Sequence, residues 1–283
     1  AEVLKGARFG NALAEFKTKN ATQKQTAITP TEHGFVVNGE KFYCTGSLFA
    51  HRIPTLVKDH ENREFLAFIA RESEGLELID DWSGFGQRTT GSGTVKFNNV
   101  QVAAEDIIPF DSAFSQATLV GPFAQIMHAA IETGIARAAF EETLHRVRQA
   151  RPWIDSGVDQ ATADPLILFE LGRIVADVRA SEVLLKQAAR SIDAAKPQPT
   201  AANIAKASLD VAKVRAHSTE TALKASSKLI ELAGSRGSQR EDGLDRFWRN
   251  ARVHTLHDAS RWKYYFIANH LLNGVLPPRR GTL

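Results

Sequence analysis

The sequence predicts an α+β protein of two domains, an antiparallel β-barrel or sandwich followed by a four-helix bundle. Three observations carry this. Up to about residue 110, short β-prone runs alternate with glycine, asparagine and aspartate, and no helical segment separates them. After about Ser112 alanine becomes abundant and the apolar period lengthens to that of helices. The chain is also long enough, at 283 residues of which 43% are hydrophobic, to bury a sizeable core without covalent staples.

In chain order, residues 1–25 read as a lead-in segment and the β domain extends to residue 113. Its clearest signal is Gly34-Phe35-Val36-Val37-Asn38-Gly39-Glu40-Lys41-Phe42-Tyr43. Asn-Gly tolerates positive φ at both central positions of a tight turn, so Asn38-Gly39 between two β-prone runs predicts a hairpin. Further runs are Thr55-Leu56-Val57, Phe65 to Ala70, Leu76 to Ile79 and Thr94-Val95-Lys96-Phe97. The bundle, 114–283, holds four long helical segments at about 116–148, 165–194, 200–233 and 242–272. In the third, Ile204, Ala207, Val211, Val214, Leu223, Ser226 and Ile230 keep helical spacing, and Gly234 is placed as its C-terminal cap. Pro197 and Pro199 break the chain before that segment, while Gly157 and Pro165 bracket the preceding loop. Connections of this length make antiparallel neighbours.

Composition excludes several functions. A net charge of +3 is too small to argue for nucleic acid, and no basic run of five or more residues with interleaved aromatics occurs. Arg236, Arg240, Arg246, Arg249 and Arg252 do concentrate near the C-terminus. A solvated helix face with subunit contacts, and anion binding, both stay open for them. The lone Cys44 excludes an internal disulfide and fits a reducing, cytoplasmic compartment. No apolar stretch reaches the roughly 18 residues that span a bilayer, and the N-terminus does not read as a signal peptide, so no membrane association is expected.

The glycine-rich stretch Gly84 to Gly93 lacks the strand-then-helix context of a dinucleotide loop, and neither a P-loop nor a G-x-S-x-G elbow is present. The sharpest cluster is His254-Thr255-Leu256-His257-Asp258 on the last helix. Residues three apart share a helix face, so both imidazoles can enter one pocket, and imidazole changes charge near neutral pH. Proton delivery and a pair of satisfied helix histidines are both open. A metal site is not expected, since no H-E-x-x-H frame or cysteine set accompanies the pair. Trp82 lies in a turn region where a large ring could wall a flat cofactor or pack as core.

A β domain followed by a four-helix bundle resembles the middle and C-terminal domains of the acyl-CoA dehydrogenases. The stretch Gly86-Gln87-Arg88-Thr89-Thr90-Gly91-Ser92-Gly93-Thr94-Val95-Lys96-Phe97-Asn98-Asn99-Val100-Gln101-Val102 is similar to their middle-domain signature. More specifically, Gly243-Leu244-Asp245-Arg246-Phe247-Trp248-Arg249-Asn250-Ala251-Arg252-Val253-His254-Thr255-Leu256-His257-Asp258 resembles the monooxygenase branch of that superfamily, which includes dibenzothiophene monooxygenase and the SfnB-type sulfur-acquisition proteins. The likeness covers essentially the whole chain. In the family a further helical domain precedes the sheet, and the abrupt opening Ala1-Glu2-Val3-Leu4 leads us to expect that this domain is missing here.

The resemblance implies a two-component monooxygenase that takes reduced FMN from a separate flavin reductase and uses O2 to oxygenate a small substrate of the organosulfur kind. It implies His257, assisted by His254, as the proton-controlling residues. Asn11 and Thr45 would line the flavin and substrate pocket, Tyr43 and Trp82 would lie beside the ring system, and Arg151 and Arg236 would reach the flavin phosphate. The family also implies a homotetramer, a dimer of dimers. The dehydrogenase branch abstracts an α-proton with a glutamate followed by Gly-Thr. Here the nearest equivalent is Asp258, one methylene shorter and followed by Ala259-Ser260, and a base misplaced by about 1 Å can lose on the order of a hundredfold in rate. Ala150-Arg151-Pro152-Trp153 also departs from the Arg-x-x-Phe-Gly pattern linked to FAD pyrophosphate, which favours FMN. An FAD-dependent acyl-CoA dehydrogenase or oxidase, and a flavin-free scaffold or interaction protein on the same fold, are the alternatives.

Overall fold

The computed structural model describes residues 1–16, 25–110 and 112–283, so residues 17–24 of the lead-in segment lie outside the described residues. The chain divides into two compact units. One comprises Ala1–Gly84 with Arg88–Gln116, the other Phe85–Gln87 with Ala117–Leu283. Among the described residues no helix is long and apolar enough to cross a membrane.

The first unit carries β1 (Ala27–Thr31), β2 (Gly34–Lys41), β3 (Arg52–Lys58), β4 (Glu64–Ala70), β5 (Leu76–Ile79), β6 (Thr94–Val102), β7 (Ile107–Pro109) and the short helix α1 (Ser112–Ser115). The strands form one seven-stranded sheet in the order β5-β6-β2-β1-β3-β4-β7. Neighbours are antiparallel except β1 and β3, which meet in parallel at Ala27 and Lys58. Alternation along the strands sends Ile28, Val37, Ile53, Val57, Ala67, Ile69, Val95, Phe97, Val100 and Val102 into a single core. β4 and β6 are not neighbours in the sheet yet share that core, so the sheet curls around it. The lead-in segment lies along the sheet, with Phe9 bridging Arg52, Ala12 bridging Thr55 and Ala14 bridging Phe42.

Asn38-Gly39 does not form the expected hairpin turn. β2 runs through both residues, and Gly39, at φ 145°, absorbs a register shift against β6. A Cβ at Gly39 would stand 2.7 Å from Thr26 Cα, so this glycine serves a bulge and a close backbone approach. β2 is flanked by β1 on one side and β6 on the other, and both ladders outweigh the local turn preference. The turn lies instead at Glu32-His33, where Thr31 pairs with Gly34.

The second unit is built on α2 (Val120–Val147), α3 (Pro165–Ala195) and α4 (Ala201–Leu232), which pack together. Local chemistry starts two of them. The Asp164 carboxylate accepts from the Leu166 and Ile167 amides with Pro165 in the first turn, and the Thr200 hydroxyl accepts from the Asn203 amide. The fourth predicted helix is broken into α5 (Asp245–His254) and α6 (Arg261–Asn273). After α5 the Thr255 hydroxyl donates to the Arg252 carbonyl at 3.0 Å, a local partner that competes with the helical ladder. Asp258 is drawn aside into ion pairs with Arg215 and Lys263. His257 therefore sits in the turn between the two helices, not on one.

Small residues let the helices approach closely, and two apolar clusters result. Ala129, Ala188, Ile192, Ile204, Ala207, Val211 and Val214 belong to one. Ala136, Ala139, Ile174, Val178, Ala222, Ala225 and Leu229 belong to the other. Between them lies a buried polar layer of Glu132 and Thr133 on α2, Ser181 on α3, and Arg215, Ser218 and Thr219 on α4. A charged layer inside a bundle costs desolvation that apolar residues would avoid, so its presence directs attention to function.

Candidate functional site

Glu132 and Arg215 are both fully buried and form an ion pair. The other carboxylate oxygen, Glu132 Oε2, accepts from the Ser218 and Thr219 hydroxyls at 3.0 and 2.9 Å. Arg215 reaches a second carboxylate through Nη2, 3.5 Å from Asp258 Oδ1, and Lys263 Nζ stands 3.3 Å from Asp258 Oδ2. Lys263 also donates to the Thr282 carbonyl. Two carboxylates thus balance two cations, and such pairing is what makes buried charge tolerable.

Three imidazoles extend this layer outward. His254 Nδ1 lies 3.1 Å from Glu132 Oε1, and His254 Nε2 lies 3.1 Å from His128 Nδ1. His128 in turn lies face to face with His257, ring centroids 4.0 Å apart and planes inclined by 35°. His257 Nδ1 is 3.7 Å from Asp258 Oδ2, an ion-pair distance but too long for a hydrogen bond. The sequence runs from buried to open, since the His254 side chain is 10% exposed and that of His257 48%.

Burial works against ionisation of Glu132, but the bond from His254 and the Arg215 charge hold its carboxyl below the usual range. Burial likewise opposes ionisation of Asp258. His257, Lys263 and Arg215 overcome it and hold that carboxyl far below the usual range. His128 goes the other way: burial, then the neighbouring His257, His254 and Arg215, push it down to about 3. Burial and these neighbouring charges thus favour the neutral form of His128.

The sheet unit holds a second set. Thr45 Oγ1 is 2.8 Å from Ser92 Oγ, which is 2.6 Å from Thr90 Oγ1, giving a row of three hydroxyls. The row is fixed by backbone bonds, with the Cys44 amide donating to Gly93 and the Gly46 amide to Thr90. Tyr43, next in the chain, is half exposed and held at φ 54°, a conformation that a bulky residue adopts only when its surroundings impose it. Its ring meets Trp82 edge-on at 6.0 Å and Phe16 at 4.6 Å. Asn11 lies in the lead-in segment, its carbonyl accepting from Ser47 Oγ at 2.9 Å. Neutral hydroxyls beside an aromatic wall suit a flat, mainly apolar ring with a polar edge.

The structure brings together His254 with His257, and Tyr43 with Trp82 and the Thr45 hydroxyl row. Arg151, in the loop after α2, and Arg236, in a 3-10 turn after α4, are both exposed and lie on separate loops of the helical unit. Sequence reasoning missed His128, Glu132, Arg215 and Lys263. A signal for two of them existed: His128 and Glu132 are four apart, one turn along a helix. Arg215 was legible as an interruption, because the apolar stripe of the third segment passes from Val214 to Leu223 through Ser218 and Thr219.

Residues 126–262 match the family model for the C-terminal domain of acyl-CoA dehydrogenases. The chain is 32% identical to the dibenzothiophene monooxygenase of Rhodococcus erythropolis, over 95% of this chain and 68% of that protein. It is 27% identical to a probable FMNH2-dependent monooxygenase, SfnC, of Pseudomonas putida, over 95% of this chain and 69% of that one. Among solved structures, FMN-bound TdsC from a Paenibacillus species superposes with a TM-score of 0.94 at 28% identity, covering 99% of this chain and 74% of that chain.

Proposed function

Since the chain belongs to the dibenzothiophene monooxygenase family, on the acyl-CoA dehydrogenase fold, we propose that it is a flavin-dependent monooxygenase that uses reduced FMN and O2 to oxygenate a small organosulfur or related heteroaromatic substrate. The observation that carries this reading is the stack of three imidazoles on a buried carboxylate, a proton-handling device, in a family of FMNH2-dependent enzymes. Reduced FMN, when bound, supplies the two electrons and activates O2. Overall, the substrate, O2, two electrons and two protons give the oxygenated substrate and water.

The residues of this chain have separable tasks. Thr45 and Asn11 hydrogen-bond the flavin edge or the substrate, and Tyr43 with Trp82 walls the ring and keeps water away. Arg151 and Arg236 hold the phosphate by charge-assisted hydrogen bonds. His257, open to solvent on one side, exchanges protons with the reacting oxygen, and His254 holds a proton against Glu132. Asp258 is no substitute for the base of a dehydrogenase. Its carboxylate is committed to Arg215 and Lys263 and binds protons weakly, so α-proton abstraction is disfavoured.

A separate reductase supplies the reduced FMN, the chain works in the cytoplasm, and it assembles as a homotetramer. Support for assembly comes from the apolar side chains that α6 leaves exposed, among them Trp262, Tyr265, Leu271 and Leu272. The function is tested by supplying a flavin reductase, FMN, NADH, O2 and dibenzothiophene, with chromatography of the products and an assay for hydrogen peroxide. Sulfur oxygenation is expected, with more peroxide and less product in His257→Ala. Rapid bleaching of bound flavin by acyl-CoA thioesters in the absence of O2, with no oxygenated product, would overturn the reading.

A further inference from the structure

The proton positions in the imidazole stack follow from the acceptors around it. Glu132 is ionised and can only accept, so the Nδ1 of His254 carries hydrogen and donates to it. One proton is then shared between His254 Nε2 and His128 Nδ1, 3.1 Å apart. If His254 is neutral, its Nε2 is bare, His128 donates from Nδ1, and the Nε2 of His128 presents a lone pair. If one more proton enters, it binds His128 Nε2. The shared proton then crosses from His128 Nδ1 to His254 Nε2, and His128 ends as the opposite neutral tautomer. The positive charge comes to rest on His254, against the Glu132 carboxylate.

We propose that Glu132, His254 and His128 form a proton relay in which His128 is the outer, proton-exchanging member, switching between its two neutral tautomers while His254 carries the charge, and Glu132 is the positioning residue that fixes the direction of transfer. Delivery is the reverse of uptake: His128 gives up its Nε2 proton to the acceptor, and the shared proton returns from His254 to His128. Each direction moves two protons over two bonds and needs no further reactant. The groups facing the relay are Glu132 on α2, Arg215 on α4, His257 and Asp258 in the turn between α5 and α6, and Lys263 on α6. The reluctance of His128 to become charged is what the role requires, because a relay member that kept the proton would stop the transfer.

That this relay serves oxygenation rests on the function proposed above; its existence does not. The test is therefore made first without turnover. Histidine imidazoles are labelled with 15N in the whole protein, and the ring nitrogen shifts, which distinguish both tautomers from the imidazolium, are followed between pH 9 and 5. The expected result is His128 protonated at Nδ1 at high pH and at Nε2 at low pH without becoming imidazolium, the change coinciding with protonation of His254. A His128 that stays in one tautomer, or becomes imidazolium independently of His254, overturns the proposal. His128→Phe removes the relay's outer end without leaving a buried charge, so it should fold. It should retain FMN binding and lose product formation on the order of a hundredfold, with the pH dependence of kcat flattened, in keeping with the usual range of general acid–base catalysis. Unchanged kcat and pH profile in His128→Phe would sink the catalytic role, whereas failure of the parent protein to oxygenate any organosulfur compound would sink only the function on which that role depends.

Discussion

Arg215→Met separates the physics of the polar layer from its chemistry. The guanidinium is fully buried and pairs with a fully buried Glu132 as well as with Asp258. Methionine keeps most of the aliphatic volume but leaves Glu132 without its cation, and removing one partner of a buried pair costs about 3–5 kcal/mol. For a chain of this size that corresponds to a fall in Tm of roughly 6–20 °C near pH 7.5. The sign of the pH dependence is the sharper readout. In the parent, Glu132 and Asp258 have depressed values, so their contribution is present above the unfolded carboxylate range and is lost only as pH falls through it. Between pH 8 and 5 these two groups leave the parent's stability flat. In the variant, burial is no longer opposed by Arg215, and the Glu132–His254 pair takes up a proton more readily. A folded state that binds protons more tightly than the unfolded chain gains stability as pH falls, so the deficit should narrow from pH 8 to 5. Thermal denaturation followed by circular dichroism at four or five pH values measures it. A variant as stable as the parent at pH 7.5, or one whose deficit stays constant down to pH 5, would refute the reasoning.

Two further outcomes follow from the sheet unit. Thr45→Val removes a hydroxyl from the Thr45–Ser92–Thr90 row, and one lost hydrogen bond of about 0.5–1.5 kcal/mol should weaken FMN binding roughly two- to twelvefold. Thr45→Ser should bind like the parent in a fluorescence titration, so equal affinities for all three proteins would remove Thr45 from the flavin site. Cys44 is 1% exposed and burial pushes its thiol up to about 12, so Ellman's reagent should fail to label it at pH 8 until the protein is unfolded, and fast labelling of the folded chain would count against this packing.

The two-part architecture was legible because it rests on short-range periodicity. Alternation of two marks the strands, the longer apolar period marks α2, α3 and α4, and Pro165, Pro197 and Pro199 mark the breaks before α3 and α4. Two local readings failed where tertiary pairing overrode them. Asn38-Gly39 has the chemistry of a turn, but β2 has partners on both sides and spends the glycine on a bulge. The last helix reads as continuous until Asp258 is claimed by Arg215, which is 43 residues away in sequence. His254 and His257 were singled out by helical spacing, yet His257 lies in the turn after α5 and the two rings meet through His128. His128 itself was not legible, since it lies 126 residues from His254 and nothing local links them.

The same network ties the stability argument to the proposed chemistry. Without the imidazoles, the layer holds Glu132 and Asp258 against Arg215 and Lys263 and is electrically balanced. A proton taken up by the relay is then the one charge in excess, in a setting of low dielectric where excess charge is costly. Glu132 attracts it but is already shared with Arg215, so the proton is held and can still be released. Removing Arg215 should shift that balance toward retention: the proton should stay on His254 or Glu132, and delivery through His128 should slow. Arg215 thus has a consequence beyond folding, and it can be separated from folding. At low temperature, which keeps Arg215→Met folded, 15N spectra between pH 9 and 5 should show the extra proton of the Glu132–His254 pair held to higher pH than in the parent, because Glu132 has lost the cation that keeps its carboxyl low. If the folded variant titrates its histidines as the parent does, Arg215 only holds the bundle together.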